Sequence, residues 1–170
     1  MRHIFLYFLT VIMFIGCKKE KHDPGSRIDI YLLKSFTTTV DQSTMPATIS
    51  ITNAVLDDTP LVSDRDIKVY VKATTTFVLR EDIQTVIQNY GPDKAFAVTV
   101  DKQPVYYGRF HPFYLSSISF GLATISPLPL NNDELQIDFA TIEGNSVLQQ
   151  LDNRNDNRII NALKATNRLR

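Results

Sequence analysis

At 170 residues, 44% of them apolar, the chain can bury roughly 70% of its unfolded surface, and one domain is the natural count. Eighteen basic and eighteen acidic side chains balance, so no nucleic-acid partner is implied. A lone cysteine, Cys17, excludes an internal disulfide, a CxxC redox pair and a multi-thiolate metal site.

Arg2 supplies a positive start, and an apolar run follows from Ile4 to Ile15, broken only by Tyr7 and Thr10. Its twelve residues suit the core of a signal peptide, whereas a membrane-spanning helix needs about 20. Gly16 then places a narrow side chain beside Cys17, as a signal peptidase requires. Phe14-Ile15-Gly16-Cys17 resembles a bacterial lipobox, with Phe14 where leucine is commoner. That resemblance implies cleavage between Gly16 and Cys17 and acylation of Cys17 by palmitate-class chains. It also implies a lipid-anchored address in the cell envelope, at the outer membrane on its periplasmic or surface face. The expected division is a signal peptide over 1–16, a lipidated tether over 17–26 and one domain over 27–170. A domain whose only cysteine carries lipid holds no thiol nucleophile.

Lys18 to Ser26 shows no apolar periodicity and ends in turn formers, as a solvated tether would. A charged segment after the lipid cysteine resembles the export signals of surface lipoproteins in Bacteroidetes. Its lysines equally suit anionic head groups.

Beyond the tether the strand period dominates. Ile28, Ile30 and Leu32 alternate with Asp29 and Tyr31, predicting a half-buried strand over about 27–37. Ile49 and Ile51 predict a second after a turn region containing Pro46. Asp57, Asp58, Asp64 and Asp66 crowd the next connection, but a calcium loop needs a Gly at its bend and a late Glu; a loop capping the following strand is expected. Ile67, Val69 and Val71 begin that strand, and the β-branched Thr74-Thr75-Thr76 is expected to extend it to Leu79. Ile83, Val86, Ile87 and Tyr90 then take helical spacing, with Gly91-Pro92 as the stop.

A hairpin follows. Phe96, Val98 and Val100 alternate with Ala97 and Thr99, Asp101-Lys102-Gln103-Pro104 turns the chain, and Val105 to Phe110 returns it. Phe96, Val98 and Val100 are expected to face the stripe of Ile83, Val86 and Ile87, leaving Thr99 on a face that tolerates charge. The order of strand, helix and hairpin over 67–110 resembles the periplasmic head of the SecD translocon subunit. Together with Asn155-Asp156-Asn157-Arg158-Ile159-Ile160, the hairpin also resembles a group of uncharacterised Bacteroidetes lipoproteins. The first resemblance bears on fold only, and the second implies no activity.

His111 to Gly121 is the densest aromatic stretch. Its rings either stack on sugars or anchor peptides, or close one end of the core, and the inward preference of aromatics on β-proteins favours the latter. Under the former, the candidate contact residues are Tyr106, Phe110, Phe113 and Tyr114. A hydrolase reading would pair His111 with Ser116, Ser117 or Asp101, although no GxSxG elbow is present.

Ala123-Thr124-Ile125 predicts a short strand, Pro127 and Pro129 bracket a turn, and Leu135, Ile137 and Phe139 predict the last strand. Val147 to Leu151 suggests a helical turn. Asp152 to Asn157 looks acidic enough for calcium, but Arg154 occupies a ligand position. A loop in which Asp156 caps a final helix is expected instead, with Ile159, Ile160 and Leu163 inward and Lys164, Arg168 and Arg170 at its basic end. The expected fold is α+β, a mostly antiparallel sheet of about six or seven strands with two helices. No cofactor or metal is implied. The expected function is a non-catalytic binding or assembly module of the envelope, anchored to the membrane by lipid, with a protein or glycan partner. The alternative is an envelope hydrolase built on His111.

Overall fold

The computed structural model describes residues 25–127 and 131–170, so the expectations placed on Phe14 to Cys17, on most of the tether and on Pro129 lie outside the described residues. β1 (Ile28–Asp41) is buried where it is apolar, from Ile28 to Leu33, and runs into solvent where Thr37 to Asp41 turn polar. β2 (Thr48–Leu56) returns beside it. Their register slips between Leu33 and Ser35 and again before Thr37. Such irregularities bend a strand pair. The bent ribbon curls so that Leu33 and Ile51 pack with Ala95, Ala97 and Leu122.

A single 3-10 turn at Asp64–Asp66 leads into β3 (Ile67–Val71) and β4 (Thr76–Leu79). The continuous strand expected through Thr74-Thr75-Thr76 is instead a hairpin, in which Val71 pairs with Thr76. Thr75 turns the chain at φ +51°, an uncommon conformation for a β-branched residue. Its hydroxyl donates to the Ile137 carbonyl at 2.6 Å, so a bond distant in sequence overrides the local preference. α1 (Gln84–Ile87) is one turn, shorter than its sequence spacing suggests. Ile83 and Ile87 are buried, but Val86 is exposed and drops out of the expected stripe.

β5 (Ala95–Val100) and β6 (Gln103–Phe110) form the predicted hairpin around Asp101 and Lys102 alone, both at positive φ (50° and 65°). Two such residues make the mirror-image turn whose twist matches paired strands. β7 (Ala123–Ile125) runs parallel to β6. β8 (Glu134–Gln136) pairs with β4, and β9 (Asp138–Phe139) pairs with β7. The strands form one mixed sheet, β2-β1-β5-β6-β7-β9, and a second, β3-β4-β8. α2 (Ser146–Leu151) and α3 (Asn157–Ala165) follow. Asp156 caps α3 by accepting from the Arg158 amide at 2.8 Å, and Ile159, Ile160 and Leu163 are buried as their spacing predicts.

The fold is therefore α+β, mostly sheet with few helices. The nine strands among the described residues exceed the expected six or seven because two predicted strands are each divided: the one expected over 67–79 becomes β3 and β4, and the one expected at Leu135 to Phe139 becomes β8 and β9, which pair with different neighbours. One core fills the space between the sheets, where Phe96 and Val98 meet Phe77, Ile87, Ile159 and Leu163. β5 is buried on both faces, which corrects the expectation for Thr99: its side chain is enclosed and donates to the Asp29 carbonyl at 3.0 Å. Among the described residues, no helix is long and apolar enough to cross a membrane.

Candidate functional site

Parallel strands need a crossover of about a dozen residues, usually helical. Between β6 and β7 that crossover is residues 111–122, an irregular loop carrying the aromatic stretch. Both ends of the loop are pinned. The His111 amide donates to the Ile125 carbonyl at 2.8 Å, and Ser126 Oγ donates to the His111 carbonyl at 3.0 Å. At the other end the Ile49 amide donates to the Phe120 carbonyl at 2.8 Å, and Gly121, at φ +80°, lies so close to Thr48 that a Cβ would not fit. Pro112 is buried, and the Leu115 amide closes a turn onto its carbonyl at 3.0 Å. Held at both ends, the middle projects. Phe113 is 70% exposed, Tyr114 68% and Ile118 65%, and the Phe113 and Tyr114 rings meet edge to face at 6.0 Å.

The four candidate contact residues thus divide. Phe110 is fully buried, edge-on to Tyr90 at 5.0 Å and to Phe96 at 5.7 Å, and is a core residue rather than a contact. Tyr106 is buried as well, and its hydroxyl has no hydrogen-bond partner among the described residues. Burial, reinforced by the nearby Tyr70, pushes that hydroxyl's pKa well above the ordinary tyrosine value. The reason is strand parity: Tyr106, Gly108 and Phe110 share the inward face of β6. Gly108 is required there, since a Cβ would strike the Phe96 ring and lie 2.7 Å from the Ala123 carbonyl oxygen. Phe113 and Tyr114 fall beyond the strand, past Pro112, and escape that face. Ile118, which the sequence reading left out, joins them; its place between serines in a charge-free loop was the available signal.

The hydrolase residues are not brought together. Ser116 and Ser117 are exposed, and no hydrogen bond joins them to the His111 imidazole among the described residues. Asp101 accepts from the Arg27 amide at 2.8 Å. It sits at the far end of the eight-residue β6, about 25 Å from His111.

The acidic segments hold the fold together. Asp64 Oδ1 accepts from the Ile28 amide at 2.9 Å and from Arg168 Nη2 at 2.6 Å. Asp152 takes both Nε and Nη2 of Arg154, at 2.8 and 2.7 Å, while Arg154 Nη1 reaches Thr75 Oγ1 at 3.0 Å and the Ile137 carbonyl at 2.9 Å. Burial alone would raise the Asp152 pKa, but the hydrogen bonds from Arg154 outweigh it and hold it below the ordinary carboxylate value. Arg154, read from sequence as one residue of a polar loop, instead ties that loop to the β3–β4 turn. It also borders a half-open cavity of about 140 Å³ with Tyr107, Leu122, Phe139 and Leu151.

Set against protein-family models, curated proteins and solved structures, the chain matches none. The functional reading therefore rests on the chain's own residues.

Proposed function

We propose that the protein is a lipid-anchored lipoprotein of the bacterial cell envelope that acts as a non-catalytic binding or assembly module, presenting the 111–122 loop to a partner. The lipobox resemblance of Phe14-Ile15-Gly16-Cys17 supports the anchor. The observation that carries the module reading is the joint exposure of Phe113, Tyr114 and Ile118 on a loop pinned at both ends. Exposed apolar clusters cost solubility and mark sites that a partner covers. The separation of His111 from Asp101, and its lack of a bond to Ser116 or Ser117, supports binding over hydrolysis.

The test has two parts. Phe113→Ala and Tyr114→Ala should each change unfolding free energy by no more than about 0.5 kcal/mol, as surface substitutions do. Each should also abolish whatever a photoreactive residue at position 116 captures in intact cells. Large stability losses in both variants would remove the contact surface. Cys17→Ser should abolish incorporation of labelled palmitate and processing after Gly16, and normal labelling of this variant would end the lipoprotein reading.

A further inference from the structure

We infer that the second half of β1 is a self-association edge, along which two copies of this chain pair antiparallel about a two-fold axis at Thr38. No residue of the 111–122 loop takes part, so this proposal and the contact-surface reading above can fail separately.

The neighbours of β1 change along its length. Over Ile28–Leu32 it lies between β5 on one side and, at Ile30, Val62 on the other. From Leu33 to Asp41 it pairs with β2. On the side where β5 has ended, no backbone hydrogen bond reaches Phe36 to Val40 among the described residues. Alternation identifies the groups left over. The Ile49 amide donates to the Phe120 carbonyl on the outer side of β2, so the backbone groups of Ile49 point away from β1. Those of Thr48, Ser50 and Thr52 therefore point toward it, onto their partners Asp41, Thr39 and Thr37. The N–H and C=O groups of Phe36, Thr38 and Val40 are left directed outward, and every residue from Thr37 to Asp41 is exposed.

Open edges are ordinarily interrupted by a charge or a proline. Ser35-Phe36-Thr37-Thr38-Thr39-Val40 contains neither and is rich in β-branched residues, which suit a paired strand. A second copy fits this edge by its own sequence. Antiparallel pairing requires outward-pointing residues to face one another, and the register centred on Thr38 uses all three: Phe36 faces Val40 of the second copy, Thr38 faces Thr38, and Val40 faces Phe36. Each such pair exchanges two N–H···O bonds, so about six form. Residues directly opposite share a face, and aromatic with β-branched, or threonine with threonine, are favourable pairs. Val40, 52% exposed in one copy, meets Phe36 of the other, and Thr37 meets Thr39. Because the strands run in opposite directions, Lys34 of each copy comes to the Asp41 end of the other, and no like charges face. A two-fold axis supplies each of these matches twice, and the product is a four-stranded ribbon in the order β2-β1-β1-β2.

Sedimentation equilibrium of the full-length protein in an excess of detergent micelles tests this, with disulfide trapping as a second reading. The wild type should form a dimer in a concentration-dependent way. Val40→Lys, at an exposed position, and Thr38→Pro, which deletes an amide that faces away from β2, should each weaken the dimer about tenfold or more with melting unchanged. Facing residues of this kind have Cα atoms about 5.5 Å apart, within the range of a disulfide. Thr38→Cys should therefore crosslink two copies on oxidation, whereas Thr52→Cys, exposed on β2, should not. Should Thr38→Pro fail to fold, Val40→Lys and the two cysteine variants still decide. A protein that stays monomeric, a dimer indifferent to Val40→Lys, or equal crosslinking at positions 38 and 52 would overturn the inference. A monomer whose Thr38 amide is protected from hydrogen exchange would overturn it in favour of another segment of the same chain lying on this edge.

Discussion

Tyr106 carries a hydroxyl that the fold encloses and that finds no hydrogen-bond partner among the described residues. An unsatisfied buried polar group costs about 1 to 3 kcal/mol, so Tyr106→Phe should be neutral or stabilising by up to that amount in denaturant unfolding. A clear loss of stability would show that the hydroxyl is satisfied in solution. Phe110→Ala is the contrast: removing a ring enclosed by Tyr90 and Phe96 should cost about 3 to 5 kcal/mol. The density of aromatics from Tyr106 to Phe120 was legible in the sequence, but its partition was not read. Parity along β6 could have supplied it, because Tyr106 and Phe110 each stand two positions from the inward Gly108, while Pro112 lies past the end of the strand. Arg154 was not legible at all. Its role depends on Thr75 and Ile137, neither of them near it in sequence.

At the level of elements, β5 decides how much charge the fold tolerates. Val98→Asp and Thr99→Asp should both unfold the protein, since each would bury an unpaired carboxylate, one against the main core and the other where Thr99 now bonds Asp29. Circular dichroism of the two variants checks this, and a folded Thr99→Asp would mean that the ribbon of β1 and β2 leaves that face open. Strict alternation made β5, β6 and the first half of β1 readable, and the Asp156 cap with its apolar spacing made α3 readable. The β3–β4 turn was hidden because it has no Gly, Pro or Asn and is set by tertiary bonds to Thr75. The covering of β5 was hidden because the bend of β1 and β2 comes from slipped pairing, which single-strand patterns do not encode.

For the molecule as a whole, runs of strands with few helical segments were enough to give the α+β class, while the order of strands and the parallel pairing of β6 with β7 depend on contacts that no local window contains. The same holds for the closure of the chain on itself. Asp64 joins the start of β1, through the Ile28 amide, to Arg168 near the C-terminal end. Beyond that clamp the last residues lie along β3: the Tyr70 amide donates to the Arg168 carbonyl at 2.8 Å, the Arg170 amide to the Tyr70 carbonyl at 2.9 Å and the Lys72 amide to the Arg170 carbonyl at 2.9 Å. Those three bonds occupy backbone groups that would otherwise form an open strand margin, the kind of template on which chains recruit one another. Removing residues 168–170 should therefore do more than lower stability. It should make the protein self-associate in a concentration-dependent way, visible by light scattering below its unfolding temperature, and a truncated protein that associates no further than the intact chain would show β3 to be guarded by other means. The C-terminal residues, which carry none of the proposed binding chemistry, would then act as a built-in safeguard against polymerisation.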